Sequence, residues 1–251
     1  MARQGYVNLL PVQHKKSRQP GDSKKMVAAR LRFLESGVYC PVAALLNETV
    51  FAQMPRVMPF SLLDAGCGEG YYLNGLAAAL QQKNDGEASL IGLDISKPAV
   101  VCAAKRNKAI TWLVASNKQL PVLSASLDMI VCMFGFPIFG AFKRALKPGG
   151  KVILLEAAED HLVELREVIY PDVRKRSLPS LFEAERLGFE LVHTDRLLMS
   201  AGMLDRQQLG DLLVMTPHLY RASSAGKAAA ARLDALRVTI DVSVRVLELS
   251  E

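Results

Sequence analysis

The chain is poor in cysteine, which excludes several protein classes at the outset. Its 251 residues contain only four cysteines, far apart, with no C-x-x-C pair and no neighbouring histidine: Cys40, Cys67, Cys102 and Cys132. Disulfide scaffolds are dense in cysteine, and zinc modules need closely spaced cysteine or histidine ligands. The spacing therefore predicts reduced thiols in the protein core, and no zinc site is expected in this chain.

Long hydrophobic runs, sequence repeats and low-complexity segments are also missing. No apolar stretch approaches the roughly 20 residues that a membrane-spanning helix requires, and the polar, basic N-terminus is unlike a secretion signal. Half of the residues are hydrophobic and 22% are charged, a balance typical of a globular protein. We therefore expect a cytoplasmic protein without membrane contact, built as one large α/β domain with an appendage or as two small domains.

Acidic side chains are scarce near the N-terminus. The net charge is +6, and residues 1–32 hold eight basic side chains against one acid, Asp22. A charge run of this kind is usually a solvated tail, but residues 5–12 are too apolar for a tail. We favour a basic arm that packs by its apolar half and presents its basic half, densest at residues 14–18, to nucleic acid phosphates.

The stretch at residues 61–72, S-L-L-D-A-G-C-G-E-G-Y-Y, is the most informative part of the chain. An apolar run ends in Asp64, three glycines follow at alternate positions, and a helix-favouring segment comes next: a pattern of strand, tight turn and helix. Glycine permits backbone angles, and a close approach of ligand to backbone, that a Cβ would forbid. The pattern therefore predicts a ligand lying over Gly66, Gly68 and Gly70.

Two carboxylates indicate which ligand this is. Glu69 lies at the tip of the loop, where it would repel the phosphates that dinucleotides place near a helix start, so a cationic or zwitterionic ligand suits the loop better. The next apolar run ends at Asp94, whose carboxylate can accept both hydroxyls of an unphosphorylated ribose. Together these features resemble the S-adenosylmethionine (SAM) site of Rossmann-like methyltransferases; the alternative is a glycine-rich turn that binds nothing.

Apolar strands and helices alternate after residue 60, which predicts right-handed β-α-β crossovers and a parallel sheet. Strands are expected at 61–66, 90–95, 110–115, 127–134, 151–156, 189–199 and 237–249, and helices at 24–36, 41–51, 71–82, 97–107, 160–170, 180–187, 205–215 and 224–236, with a weaker helix near 117–120. The expected fold is a Rossmann-like SAM-dependent methyltransferase: a seven-stranded, mostly parallel sheet closed by an antiparallel terminal hairpin. We expect a basic N-terminal arm with helices over 1–56, RNA-facing and packed on the core, and the methyltransferase domain over 57–251.

Ligands in such sheets bind at the carboxyl ends of the strands. After the third predicted strand, Ser116 or Asn117 could hydrogen-bond the adenine edge, and capping of the next turn is an equal alternative. After the fourth, residues 134–137, F-G-F-P, could stack a base or could form a hydrophobic loop. The Asn/Asp-Pro-Pro-aromatic motif that holds an exocyclic amine is absent, which argues against methylation of adenine N6.

A narrower resemblance emerges from seven stretches taken together. The chain strongly resembles the bacterial 23S rRNA guanine-N1 methyltransferases (the RlmA family) in G-Y-V-N-L-L-P-V-Q-H-K-K-S-R-Q-P-G-D-S at 5–23, D-A-G-C-G-E-G-Y-Y at 64–72, G-L-D-I-S-K at 92–97, V-A-S at 114–116, L-K-P-G-G at 146–150, H-L at 161–162 and M-T-P at 215–217. The likeness covers nearly the whole chain. Its first stretch is far more specific than the glycine loop, which very many enzymes share.

The resemblance implies transfer of a methyl group from SAM to N1 of one guanine in a hairpin loop of 23S rRNA. It also implies SAM contacts at Tyr39, Gly68, Glu69 and His161, although Tyr39 has an alternative role in packing and His161 one at a helix terminus. The expected cofactor-binding residues are Tyr39, Asp64, Gly66, Gly68, Glu69, Gly70, Asp94, Ser116 and His161. The expected partners are 23S rRNA and a second copy of the chain in a homodimer.

Two features depart from the family pattern. Family members typically begin with a small zinc module, which is expected to help grip RNA, and nothing like it precedes Met1. Residues 131–139 are more apolar than the family's target-base loop.

The sequence does not identify the group that takes the guanine N1 proton; Glu156 and Glu159 are the first carboxylates to test. The rival interpretations are a SAM enzyme for a small molecule and a catalytically silent SAM- or RNA-binding protein.

Overall fold

A computed structural model describes residues 2–10, 20–55, 59–83, 87–173, 175 and 177–250. The basic cluster at 14–18 lies outside these residues, as does the N-D-G sequence at 84–86, which predicts a turn. The strands are β1 Tyr6–Asn8, β2 Phe60–Ala65, β3 Ala88–Asp94, β4 Thr111–Val114, β5 Leu127–Met133, β6 Leu146–Ala157, β7 Phe189–Asp205 and β8 Ala235–Leu249. The helices are α1 Lys24–Glu35, α2 Cys40–Gln53, α3 Tyr71–Lys83, α4 Lys97–Arg106, α5 Phe139–Ala145, α6 Val163–Ile169, α7 Phe182–Arg186, α8 Arg206–Met215, α9 His218–Arg221 and α10 Ser224–Ala231.

All the described strands belong to one sheet, in the order β1-β4-β3-β2-β5-β6-β8-β7. The first six in that order run parallel, while β8 is antiparallel to both β6 and β7. The Rossmann-like fold and the antiparallel terminal hairpin are thus confirmed. The strand order reverses between β2 and β5, which is where open α/β sheets bind their ligands.

The sheet is buried on both faces because its central strands are almost wholly apolar. Alternation along β2 sends Leu62 into one hydrophobic cluster and Leu63 into the other, on the opposite face of the sheet. Both side chains are completely buried. The sheet is therefore a rigid wall from which the residues at its strand ends project.

The described residues form eight strands rather than the expected seven, because the N-terminal arm adds one. Residues of β1 pair in parallel with β4, with Tyr6 opposite Trp112, and Tyr6 is buried. The apolar half of the arm thus packs on the core as a short edge strand. Its pairing partner lies about a hundred residues away, so no local pattern could have revealed it.

Helix α1 is tied to the C-terminal part of the chain. Ser23 caps it by accepting the N–H of Met26, and Arg32 donates two hydrogen bonds to Asp211 of α8, at 3.0 and 2.5 Å. Arg30 pairs with Asp22 and donates to the Met215 carbonyl at 3.1 Å. Among the N-terminal basic residues that the structure describes, Arg30 and Arg32 therefore serve internal contacts. The proposed boundary near residue 56 stays a prediction.

Other expectations needed correction. Residues 139–145, given no element of their own from the sequence, form α5, while 117–120 is a turn without a helix. The last helix ends at Ala231 rather than 236, because β8 already begins at Ala235. Cys40 is exposed and Cys102 is only partly buried, so the prediction of core thiols holds for Cys67 and Cys132 alone. Among the described residues, the helices are all too short or too polar to cross a bilayer.

Candidate active site

A cavity of about 440 Å³ opens at the carboxyl ends of β2, β3, β4 and β5. Six of the nine predicted cofactor residues line it: Asp64, Gly66, Gly68, Glu69, Asp94 and Ser116. Its volume lies in the range of small-molecule sites. The strand-end residues, which are far apart in sequence, therefore meet in one place as the predicted topology requires.

The glycine bend forms the floor of this first cavity. Gly66, Gly68 and Gly70 all have positive φ, at 112°, 56° and 82°, which L residues with a side chain rarely adopt. At Gly66 a Cβ would meet nothing within 4 Å, whereas at Gly70 it would come within 2.7 Å of the Trp112 ring. Gly66 thus leaves backbone open to a ligand, while Gly70 permits close packing behind the bend.

Asp94 is bonded to the bend across the sheet. Its Oδ2 accepts the backbone N–H of Gly68 at 3.0 Å, and its Oδ1 accepts that of Ser96 at 2.7 Å. Ser96 in turn caps α4 and donates to the Asp22 carbonyl at 2.7 Å. The carboxylate is thereby held at the cavity edge, and each oxygen retains lone-pair capacity for a ligand hydroxyl.

Two buried acids face the same cavity. Asp64 and Glu69 are 4% and 1% exposed, and Asp64 Oδ1 and Glu69 Oε1 are buried without a hydrogen-bond partner among the described residues. Burial, reinforced by the negative charges of Asp94 and Glu69, raises the pKa of Asp64 to about 8. Burial also raises the pKa of Glu69. Such acids are satisfied by a cationic ligand.

Arg30 is a cavity residue that the sequence did not reveal. It extends from α1 into the first cavity, where its charge opposes the effect of burial on the pKa of Glu69. Its guanidinium is held by Asp22 and by the Met215 carbonyl. The signal for Arg30 in the sequence was the run of basic residues along α1, but the prediction assigned that whole run to RNA binding.

At the third strand end, the structure separates the two candidates for the adenine edge. Ser116 Oγ accepts the N–H of Lys118 at 3.3 Å, the capping role that was the alternative. Asn117 donates its amide to the Ala65 carbonyl at 3.2 Å, which fixes the amide orientation. Its Oδ1 is then buried without a partner among the described residues. Asn117 is thus the better placed acceptor for an exocyclic amine.

Tyr39 and His161 line a second cavity, of about 430 Å³, which shares Arg30, Leu34, Tyr72, Phe134 and Gly135 with the first. His161 Nδ1 accepts the N–H of Asp241 at 3.2 Å, and burial lowers the pKa of the ring to about 4. The neutral ring therefore carries its proton on Nε2 and donates it to the Tyr39 hydroxyl, 3.1 Å away. That leaves the hydroxyl hydrogen free to be donated to a ligand.

Glu156 is a candidate proton acceptor from the sequence, but the sequence did not predict its surroundings in the fold. It lines the second cavity at the end of β6, and Arg245 of β8 holds it, with Nε 2.8 Å and Nη2 2.6 Å from Oε2. Glu159 instead lies in a third cavity of about 360 Å³, beside Arg166, His218 and Arg221. No cluster suited to a metal ion occurs among the described residues.

Comparison with known proteins agrees with this architecture. A family profile described as "Methyltransferase domain" matches residues 62–150, which include the glycine bend and Asp94. A second profile, described as "RlmA, N-terminal", matches residues 1–18. The chain is therefore similar to a methyltransferase through its sheet and to RlmA proteins through its arm.

Relatives decide the family. The chain is 33% identical over 219 residues to the 23S rRNA (guanine(748)-N(1))-methyltransferase of Streptomyces fradiae, covering 86% of this chain and 75% of the relative. The chain belongs to the family of 23S rRNA (guanine-N1)-methyltransferases. It is also 28% identical to YxjB of Bacillus subtilis strain 168, provisionally named a member of the same family, over 98% of this chain and 86% of the relative. This family member is accordingly a SAM-dependent methyltransferase.

Solved structures support the fold alone. YcgJ from Bacillus subtilis covers 83% of this chain and 98% of its own, with a TM-score of 0.51 at 19% identity. The [4+2]-cyclase SpnF covers 93% and 99%, with a TM-score of 0.52 at 16% identity. Since a cyclase and methyltransferases share this fold, the architecture by itself does not identify the reaction.

Proposed function

We propose that the protein binds SAM in the first cavity and transfers its methyl group to N1 of a guanine in a hairpin loop of 23S rRNA. The observation that carries the cofactor half is the bond between Asp94 and Gly68, which joins the ribose-binding acid to an open glycine bend. Beside them lie Asp64 and Glu69, two buried acids with unpartnered oxygens among the described residues. A sulfonium nucleoside with an ammonium group matches this combination of sugar acceptor and negative charge.

The chain's own residues have distinct roles in this proposal. Asp94 accepts the ribose hydroxyls, Asn117 Oδ1 accepts the adenine amine, and Gly66 lets the ligand lie against the backbone. Arg30 is placed to meet the carboxylate of the amino acid part. Tyr39 and His161 bound the far end, where the two cavities meet, so that they close the site around the methyl group rather than around the adenine.

The reaction asks mainly for positioning and exclusion of water, because the sulfonium is already a strong electrophile. The methyl group is transferred in line from sulfur to the acceptor nitrogen. Phe134 and Gly135 lie in the wall common to both cavities. A methyl donor in the first cavity and a target nucleobase in the second would therefore approach each other beside Phe134 and Gly135.

The RNA half of the proposal is supported by the relatives and by charge. The Streptomyces fradiae relative is named for guanine 748 of 23S rRNA, and residues 1–32 carry the positive excess of the chain. The exposed Phe136, 84% accessible at the rim of the first cavity, is available for stacking on an unpaired base. Arg221 lies exposed in the wall of the third cavity, which shares His161 and His218 with the second.

The homodimer expected from the sequence belongs to the same proposal. Strand β7 lies at the sheet edge and exposes several large apolar side chains: Leu191, Val192, Leu198 and Met203. Exposed edges of this kind pair readily with another chain. Sedimentation equilibrium of the purified protein tests this point, with a monomer at all concentrations counting against it.

Reverse transcription of rRNA tests the proposed function in the cell. A methyl group on guanine N1 blocks the Watson–Crick edge, so 23S rRNA from the source strain should stop the transcriptase one nucleotide before a hairpin guanine. The stop should vanish on deletion of the gene and return with the wild-type gene but not with an Asp94→Ala copy. An unchanged set of stops in the deletion strain would argue for a small-molecule substrate or a silent protein.

The arm is tested separately with Lys15→Ala/Lys16→Ala, at positions outside the described residues. We expect weaker RNA binding with a slope against salt that is shallower by about two, because each lysine that neutralises a phosphate contributes about one to that slope. SAM binding measured by calorimetry should be unchanged. A fall in SAM affinity with RNA affinity preserved would contradict the assignment of the arm to RNA.

A further inference from the structure

The second cavity contains what a planar purine needs. The rings of Tyr39, Phe134 and His161 lie within reach of one another, with centroids 6.4 Å apart for Tyr39 and Phe134 and 5.8 Å for Phe134 and His161. Phe134 has a left-handed backbone, with φ at 48°, although it is not a glycine. A strained conformation of this kind persists where the surroundings fix it, and it is most common at functional sites.

Glu156 places a carboxylate in this aromatic cavity. Its side chain is 12% exposed, and the side chain of Arg245 is 9% exposed. Arg245 donates from Nε to Oε2 and from Nη1 to the Pro179 carbonyl, both at 2.8 Å, while its Nη2 lies 2.6 Å from Oε2 in the ion pair without a hydrogen bond to it. Arg245 therefore anchors the carboxylate through one of its two oxygens. Its other oxygen, Oε1, has no hydrogen-bond partner among the described residues.

Guanine is the base whose Watson–Crick edge suits that oxygen. N1–H and the exocyclic amine are adjacent donors, whereas adenine presents an unprotonated N1, which a carboxylate would repel since it only accepts hydrogen bonds. Opposite them, guanine O6 is an acceptor. The Tyr39 hydroxyl, whose hydrogen His161 leaves free, can donate to it across the cavity. Reading a base by its Watson–Crick edge between aromatic rings is the common mode for bases taken out of a stack.

We propose that the second cavity holds the target guanine and that Glu156 accepts its N1 proton. This rests on the proposed function. As N1 forms its bond to the methyl carbon, the electron pair of the breaking carbon–sulfur bond goes to sulfur, the N1–H electron pair stays on the base and the proton goes to Glu156. The products are neutral 1-methylguanine, the thioether and a protonated Glu156, which returns its proton to solvent.

The charged and titratable groups that share this cavity with Glu156 come from several elements. Arg30 extends from α1, Tyr39 precedes α2 and Tyr72 belongs to α3. His161 precedes α6, and His218 is the first residue of α9. Arg245 provides the direct ion pair. Any pH profile of a Glu156 variant must therefore be compared with that of the wild-type enzyme rather than interpreted alone.

The test compares Glu156→Gln with the matched control Glu159→Gln, a carboxylate three residues away outside this cavity. For E156Q we expect SAM affinity within about twofold of wild type and a kcat lower by about 10²-fold or more, the usual contribution of a proton acceptor. Its residual rate should rise with pH more steeply than the wild-type rate, because guanine already deprotonated at N1 needs no acceptor. E159Q should match wild type in both measurements.

Three outcomes would overturn the assignment: wild-type kcat in E156Q, a residual rate with the wild-type pH dependence, or an equal decrease in E159Q. If E156Q fails to bind SAM or to melt cooperatively, Glu156→Asp takes its place, with kcat reduced at least about tenfold because the carboxylate is withdrawn from N1. A wild-type kcat in E156D would likewise contradict the proposal.

A measurement on the unaltered protein keeps the proposal testable if neither variant folds. A hairpin RNA carrying inosine at the mapped guanosine keeps N1–H but lacks the exocyclic amine. The kcat/KM for this RNA should fall about tenfold, the effect of losing one hydrogen bond to a charged group. An equal kcat/KM for the two RNAs would refute the contact between Glu156 and the exocyclic amine. Failure of the proposed function is distinct, because wild-type enzyme would then methylate neither RNA.

Discussion

The Asp94 carboxylate accepts the backbone N–H of Gly68 at 3.0 Å, so the acid that ends β3 is bonded directly to the bend that follows β2. These two residues lie 26 positions apart in the sequence. Asp94 is the last residue of β3, and Gly68 lies in the bend that follows β2, the adjacent parallel strand. The bond fixes the distance between the place where a ribose would sit and the backbone against which the rest of the nucleoside would lie. The proposed binding of the cofactor in the first cavity depends on this relationship.

Replacement of Asp94 by Ala should abolish most SAM binding. Hydrogen bonds to a charged group contribute about 1.5–3 kcal/mol each, so the removal of two bonds to the ribose should weaken affinity by at least about 100-fold in calorimetry. Asp128→Ala is the control, since that carboxylate bonds Ser61 and Lys147 away from the cavity. Equal SAM affinity in the wild-type and D94A proteins would remove Asp94 from the site.

SAM binding should release protons near neutral pH. Burial and neighbouring acids hold the pKa of Asp64 at about 8 in the free protein, so that the carboxyl is largely protonated at pH 7. A cationic ligand favours the ionised form and lowers that pKa, which means that affinity should increase as the pH rises toward 8 and then level off. Calorimetry in buffers of different ionisation enthalpy measures the released proton directly.

The same raised pKa has an opposite effect on the free protein. The folded state binds the Asp64 proton more tightly than the unfolded state, so stability should fall as pH rises from about 4 through 8. Asp64→Asn should flatten this part of the pH profile of stability and remove the proton release on SAM binding. Proton release that persists unchanged in the D64N protein would assign the linkage to another group.

His161 should make the protein sensitive to acid. Its folded pKa of about 4 lies below the ordinary histidine value of 6.5, so the unfolded state takes up a proton first as the pH falls. Stability from this group is present above pH 6.5 and is lost between there and about 4, amounting to about 2 kcal/mol between pH 7 and 5.

Urea unfolding of the wild type and of His161→Gln at both pH values measures this effect as a difference. The variant should be less stable at pH 7, because it lacks the bonds to Tyr39 and Asp241, but its stability should fall less on acidification. Parallel decreases in the two proteins would mean that His161 is not held neutral in the folded state.

The packing behind the glycine bend gives a prediction about stability. A Cβ at Gly92 of β3 would overlap the Trp112 ring, which is 1% exposed and held by a hydrogen bond from its indole N–H to the Asn107 carbonyl at 2.7 Å. Gly92→Ala should therefore destabilise the protein by about 1–3 kcal/mol.

Gly75→Ala is the matched control for this substitution. Gly75 lies in α3, where a Cβ would meet nothing within 4 Å, so alanine should stabilise the helix by about 0.5–1 kcal/mol. Chemical unfolding of the two variants should give shifts of opposite sign. A G92A protein as stable as wild type would show that the ring can move aside.

The sequence was most informative where function and local pattern coincide. The glycine bend and Asp94 could be placed because strand ends, glycine spacing and the length of a β-α-β unit are all local signals. By contrast, the Arg245–Glu156 pair joins positions 89 apart, and β1 depends on pairing with β4. Neither leaves a periodic trace.

The apolar segment at 131–139 shows a different limit. The resemblance to the RlmA family implied that this segment is the target-base loop, and its residues 134 and 135 do line both cavities. Hydrophobicity alone could not show that Phe139 begins α5 and packs against Phe142 and Phe189. Nor could it show that Phe134 takes up a left-handed conformation, since nothing in a phenylalanine signals positive φ.

The most direct test of the central claim is methyl transfer by the purified full chain to protein-free 23S rRNA from the deletion strain. With methyl-labelled SAM, we expect label in one nucleoside, 1-methylguanosine, after digestion and chromatography, at about one equivalent per RNA and none with the D94A protein. RNA that stays unlabelled while the wild-type protein binds SAM, or label in any nucleoside other than 1-methylguanosine, would contradict the claim.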